Sequence, residues 1–245
     1  MNFKYFFLSV LAFLLITGVK AQTAVPVAPS PTALGVEKNG NIVDKNFGDE
    51  INGEAPLKVT FMSNAEEVPG FSVVYCWEFT RGSETSPFLT RYDADVSYEF
   101  NTSGTILVQP KITYTSLTNP NVVYEFGLLE GIEPFCIILA ESSIKVPNAF
   151  SPNGDGVNDY FNVYDVKSIV EFNAAIYNRW GQQLYSWGID QMDCESCGWD
   201  GTYKGKAVKD GVYFVVVTAK GADGVVYEFK RDVNILRGYI EGSSY

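Results

Sequence analysis

The sequence predicts an all-β chain: two immunoglobulin-like β-sandwich domains in tandem, following a cleaved signal peptide. Three observations predict it. Short runs of β-branched and aromatic residues recur at sandwich spacing, separated by clusters of Asn, Gly, Pro and Ser. No segment sustains a long apolar period of about 3.6 residues, the mark of an amphipathic helix. Aromatic residues make up 15% of the chain, a composition suited to packed strands rather than to disorder.

The first 21 residues, MNFKYFFLSVLAFLLITGVKA, place a lysine before an apolar run from Tyr5 to Ile16 and end in Val19-Lys20-Ala21. That is the layout of a secretory signal peptide cleaved before Gln22, and the apolar run is short for a membrane span. Residues 22–33 (QTAVPVAPSPTA) are rich in Pro and Ala and read as a flexible leader. From 34 to 145 the strand candidates are Leu57–Met62, Ser72–Thr80, Val96–Phe100, Ile106–Tyr114, Val122–Phe126 and Phe135–Leu139. From 146 to 245 they are Asn173–Tyr177, Gln183–Trp187, Val212–Ala219 and Val225–Leu236, the last two forming a hairpin across Gly-Ala-Asp-Gly.

Charge and composition exclude several classes of function. Without Lys4 and Lys20 the exported chain carries 16 basic and 29 acidic residues, a formal charge of −13. Phosphate backbones and anionic lipid surfaces are poor partners for such a chain, so no nucleic acid is expected. Beyond residue 21 no stretch is apolar enough for a helical membrane span. Histidine does not occur. That removes Ser-His-Asp and Cys-His activation of a nucleophile, the usual neutral-pH base and histidine-ligated zinc. The expectation is a protein that is not an enzyme and requires no cofactor.

Four cysteines in an exported chain suggest disulfides. Cys194 and Cys197 form C-E-S-C, followed by the turn residues Gly198-Trp199-Asp200-Gly201, so a structural loop staple fits better than a redox motif opening a helix. Cys76 and Cys136 stand in strand-like runs. The pairing 76–136 with 194–197 is preferred among the three connectivities.

The segment Val146–Phe161, VPNAFSPNGDGVNDYF, has two readings. Set against a calcium loop, Ser151, Asn153, Asp155 and Gly156 take the first, third, fifth and sixth places and Asp159 the ninth. Serine in the first place and Asn162 in the twelfth exclude a complete EF-hand. A partial structural Ca²⁺ site on Asn153, Asp155 and Asp159 stands beside an Asx-turn network in which these side chains bond the loop's own N–H groups.

Two resemblances add to this. Ala55-Pro56-Leu57-Lys58-Val59-Thr60-Phe61, Trp77-Glu78-Phe79 and Gly104-Thr105-Ile106-Leu107-Val108 follow the order seen in PKD-like domains of bacterial surface proteins, although Thr80-Arg81-Gly82-Ser83 replaces their F-G-D-G turn. Trp77 is accordingly expected in the core. The second half resembles the gliding-motility-associated C-terminal domain of Bacteroidetes, the type B sorting domain of type IX secretion. The phrases that carry the resemblance are PNAFSPNGDGVND (147–159), IYNRWGQQLY (176–185), WDGTYKGKAVKDGVYFVVV (199–217) and VNILR (233–237). The chain continues past them with Gly238–Tyr245.

The resemblance implies Sec export, passage through the type IX translocon and a place at the cell surface, outer-membrane-associated or secreted. It also implies docking on an outer-membrane β-barrel anchor protein. Arg179, Trp180, Trp199, Asp200, Lys204, Asp210 and Arg237 are the candidate sorting or docking residues. The N-terminal sandwich is then expected to contact a larger surface protein or adhesin. The alternatives are a glycan-binding module using Tyr92, Tyr98, Tyr114 and Tyr124, and, more remotely, a small hydrolase.

Overall fold

The computed structural model describes residues 24–36, 40, 42–46, 50–82, 84–192, 194 and 196–238. The expected signal peptide and the tail after Gly238 lie outside the described residues. The N-terminal unit comprises β1 (Thr32–Val36), β2 (Ile42–Asn46), β3 (Glu50–Gly53), β4 (Leu57–Met62), β5 (Phe71–Arg81), β6 (Leu89–Arg91), β7 (Asp95–Phe100), β8 (Gly104–Ser116), β9 (Val123–Phe126) and β10 (Phe135–Leu139). One sheet runs β2–β1–β4–β7; the other runs β3–β10–β8–β5–β6, with β9 also on β8. Alternation sets the faces. In β4, Leu57, Val59 and Phe61 point inward, while β5 contributes Trp77 and Phe79. Phe61 is the hub, with ring centroids 5.8 Å from Trp77, 5.7 Å from Phe79 and 5.4 Å from Phe135. Trp77 Nε1 donates to Asp93 O (3.0 Å), so the indole is buried without an orphaned donor.

The C-terminal unit comprises β11 (Ser143–Lys145), β12 (Ala149–Phe150), β13 (Tyr164–Lys167), β14 (Ile169–Tyr177), β15 (Gln183–Gly188), β16 (Thr202–Tyr203), β17 (Lys206–Ala207), β18 (Gly211–Gly221) and β19 (Val226–Ile235). Its main sheet is β12–β19–β18–β14–β15, and the β11–β13 ladder and the β16–β17 hairpin are separate small pairs. Phe172, Ala174, Ile176, Val215, Val217 and Val233 from the main sheet share one core with Ile144, Phe161, Val163, Met192 and Trp199 from the covering segments. The fold is all-β throughout, with two short 3₁₀ turns among the described residues.

Two expectations change. Residues 24–33 are not a loose leader. Pro26, Pro29 and Pro31 are buried, Asn64 Nδ2 donates to Ser30 O (2.9 Å) and Thr32 Oγ1 (3.0 Å), and Thr32 already opens β1. Proline brings no N–H of its own, so this stretch lies on the sandwich with few donors to satisfy. The division between units also falls earlier than 145/146. Because β11 pairs with β13, Ser143–Lys145 belongs to the C-terminal unit and the link is Ala140–Ser142.

That short link is reinforced by a buried polar junction. Ser168 is 2% exposed and has φ of 47°. Its Oγ donates to Ala140 O (2.8 Å) and accepts from Ala55 N (3.1 Å), while its carbonyl accepts from Ala222 N (2.8 Å). Ser103 adds N–H to Ala222 O and Oγ to Ala140 O. Ala222 itself packs into the N-terminal core, with Val170 against it. Removing the Ser168 hydroxyl leaves the Ala55 N–H without its acceptor in a dry site. Ser168→Ala is therefore expected to lower stability by about 1–3 kcal/mol. Calorimetry checks this: one transition for both units in the parent, a lower midpoint in the variant. An unchanged midpoint contradicts the junction's role.

Candidate docking surface of the C-terminal unit

The loop Val146–Phe161 enters this unit and is held by its own side chains. Asp159 Oδ1 accepts from Asn153 N (2.9 Å) and Gly154 N (2.7 Å), and Oδ2 accepts from Gly156 N (2.8 Å). Asp155 Oδ1 accepts from Val157 N (2.9 Å), its Oδ2 from Asn153 Nδ2 (2.9 Å), and Asn153 Oδ1 from Asp155 N (3.0 Å). The oxygens counted above as Ca²⁺ ligands thus face N–H donors in an Asx-turn network, and no cluster of three or more acidic, Cys or His side chains converges among the described residues.

Three aspartates are held below the usual carboxylate range. The Gly154 and Gly156 N–H groups do this for Asp159, the Lys145 ammonium for Asp165, and chiefly the Ser142 N–H for Asp223 at the junction. A carboxylate with a depressed folded pKa stabilises the fold above its unfolded pKa and loses that contribution as pH falls through the folded value. The melting temperature is therefore expected to fall on acidification below about pH 4. Asp159→Asn should flatten that fall when melting is followed from pH 6 to pH 2; an identical pH profile contradicts the assignment.

The cysteines divide. Cys194 and Cys197 are bonded to each other. Cys76 and Cys136 are free thiols, so the pairing 76–136 is not made. They flank β8 on opposite sides, in register with Lys111 and Leu107 respectively. Two strand spacings and four residues put their Cα atoms about 16 Å apart, far beyond disulfide reach. Burial, then Glu78, pushes the Cys76 thiol up; burial, then Glu50, does the same for Cys136.

The seven docking candidates separate into two groups. Trp199 is not available to a partner: it is fully buried, its Nε1 donates to Thr202 O (2.7 Å), and its ring packs on Phe150 and Tyr213. Asp200 Oδ1 accepts from Thr202 N within the same turn. Arg237 bolts the last strand to that turn, donating to Asp210 Oδ1 (2.6 Å), Val208 O (2.7 Å) and Gly201 O (2.9 Å). These four hold the fold together.

Arg179, Trp180 and Lys204 remain on the surface. Asn178 Oδ1 accepts from the N–H groups of Trp180 and Gln182 and shapes the β14–β15 turn. Trp180 stands 76% exposed with the Arg179 guanidinium 4.5 Å from its ring centre. Gln182 Nε2 donates to Tyr203 OH (2.9 Å), and Lys204 Nζ lies 5.3 Å from the Tyr203 ring. Arg179, Trp180, Gln182 and Tyr203, with Val212 (52% exposed) and Phe214 (42% exposed), border a groove of about 540 Å³, and Lys204 lies outside it. Sequence reasoning had not marked Val212 or Phe214, which in an alternating strand look like any outward-facing residues.

The tyrosines considered for a sugar platform do not line up. Tyr114 is buried and donates to Glu66 O, Tyr98 packs on Phe79 and Phe100, and Tyr124 packs on Phe71; Tyr92 is exposed.

Comparison with known families gives the decisive observation: residues 144–231 match the CHU_C type IX secretion signal domain. The C-terminal unit is a type IX secretion signal domain. The start of the match coincides with β11, where the structure divides the chain. A type IX secretion signal marks a chain for export to the cell surface or beyond, and the exposed groove belongs to this signal domain. No curated protein matches the chain. Among solved structures, the dimeric latent PorU from Porphyromonas gingivalis aligns at 14% identity with a TM-score of 0.25, over 84% of this chain and 20% of that one. The chain thus spans about a fifth of that structure's length. No helix among the described residues is long and apolar enough to cross a membrane.

Proposed function

We propose that this is a non-enzymatic cell-surface or accessory protein, exported by Sec and then by the type IX system. The signal domain directs secretion and docks on an outer-membrane β-barrel protein, and the N-terminal sandwich contacts a larger surface protein or adhesin. The observation that carries this is the signal-domain match over residues 144–231. The rest of the sequence supports it: it holds no histidine, and the N-terminal sandwich is locked to the signal domain by Ser168 and Ala222. A cargo fixed in this way is carried as one body with its address. A loop that holds itself without Ca²⁺ fits this reading, with Asp159 accepting from three N–H groups.

Affinity purification of the tagged chain from native outer membranes tests the partner half of the proposal. The expected result is co-recovery of a β-barrel protein and a larger surface protein. Recovery of the chain alone, under conditions that keep other outer-membrane complexes intact, overturns it.

A further inference from the structure

The N-terminal sandwich carries an exposed feature that its core does not explain. Between β9 and β10 a 3₁₀ turn, Leu128–Glu130, leaves Leu129 94% exposed and Leu128 54% exposed. The turn is well built. Gly127 N donates to Glu130 Oε2 (3.0 Å), Ile132 N donates to Gly127 O (2.9 Å), Gln109 Nε2 donates to Ile132 O (2.9 Å), and Ile132 is buried below. Two leucines are therefore held out in water on a fixed support, flanked by the exposed acids Glu130 and Glu133. The nearby base, Lys111, is paired with Glu78 at 2.7 Å.

The signal domain carries the complement. Its groove offers Trp180, Val212 and Phe214 as apolar walls, with the cations Arg179 and Lys209 at its rim. The acid on that rim, Asp210, is held by Arg237. In a chain of net charge −11, this is a local basic and apolar face. The register places it at the end of the signal domain remote from the junction: β14 begins beside Ser168 and ends at Tyr177, and β18 starts at Gly211 and ends at Gly221. A leucine on the other sandwich cannot reach this groove within the same molecule.

We propose that the Leu128–Leu129 knob of one copy seats in the Trp180–Phe214 groove of a second copy, with Glu133 facing Arg179 and Glu130 facing Lys209. The interface is head-to-tail. Such an interface closes into a ring or continues into an open row, depending on the rotation per copy. The locked junction keeps knob and groove at a fixed separation, so each added copy repeats the same geometry. Ordering costs are low because both surfaces are already formed, and the charged rim makes the association sensitive to salt.

Sedimentation analysis of residues 22–245 over a concentration series tests this, using Leu129→Asp, which keeps only the groove, and Trp180→Ala, which keeps only the knob. Both side chains are exposed, so neither change enters a core. The parent is expected to grow in mass with concentration past the dimer, and less so at high salt. Each variant alone should stay monomeric, and their equimolar mixture should form a dimer and nothing larger. A second pair guards against altered folding: Glu133→Lys and Arg179→Glu should each weaken association, and the two changes together in one chain should restore it. A parent that stays monomeric at every concentration, single variants that associate like the parent, or a mixture that stays monomeric overturns the proposal. Delivery to the surface is a separate readout, so a delivered monomer sinks this interface and leaves the export proposal standing.

Discussion

Trp199→Ala is expected to cost about 3–5 kcal/mol, the range for deleting a buried aromatic side chain. That is a large share of the 5–15 kcal/mol that holds a domain together. The indole sits where the entry loop, the Gly198–Gly201 turn and the main sheet meet. Its backbone forms a bridge with Phe161 (N to O distances 3.0 and 2.8 Å), and its ring touches Phe150 of β12 and Tyr213 of β18. Truncation opens a cavity where these segments meet, and it frees Thr202 O from its donor. Urea unfolding of the full chain measures the loss. A change below about 0.5 kcal/mol, the range of ordinary surface substitutions, would show that the residue is not the keystone the packing indicates.

Gly198→Ala is expected to be comparably severe by a different cause. Gly198 has φ of 102°, a region that L side chains rarely adopt, and a Cβ there would sit inside contact with the Phe161 carbonyl oxygen. The neighbour is backbone, bonded to Trp199, so it cannot step aside without breaking that bridge. Backbone strain of about 1–3 kcal/mol and a clash of about 1–3 kcal/mol add up. A melting curve compares this variant with Gly205→Ala. Gly205 also has positive φ, 75°, but open space where its Cβ would go. The account predicts a much larger drop for Gly198→Ala; equal drops would assign the whole effect to φ and none to the Phe161 contact.

Much of the fold was legible in the sequence, and the failures have physical reasons. Strands with a clear pattern, the alternating Leu57–Met62 and the wholly apolar Phe135–Leu139, were found to the residue. The missed strands β1 to β3 read TALGV, IVDKN and EING, where glycine, asparagine and charge dilute the pattern. Partner strands, not their own propensity, make them extended. The candidate surface was half legible. Trp180 and Trp199 each sit beside glycine in a turn, and sequence gave no means of telling the exposed ring from the buried one. Strand register decides it: Trp180 lies at the tip of the β14–β15 turn, whereas Trp199 is clamped to Phe161. Ser168 and Leu129 had no sequence signal, because the first acts through a partner 113 positions away and the second through exposure. The cysteine pairing failed for the same reason: two strand-borne cysteines look bridgeable until a third strand is placed between them.

The acid response and the junction variant probe how the fold is held. The central claim is that the C-terminal unit is an address that acts on what it is fused to. The most direct measurement fuses residues 140–245 behind a Sec-exported fluorescent or enzymatic reporter in a host with an active type IX system, and labels intact cells from outside. The account predicts reporter at the surface or in the medium with the unit attached, and reporter confined to the periplasm without it. A fused reporter that stays periplasmic while the host's own type IX substrates are delivered would contradict it.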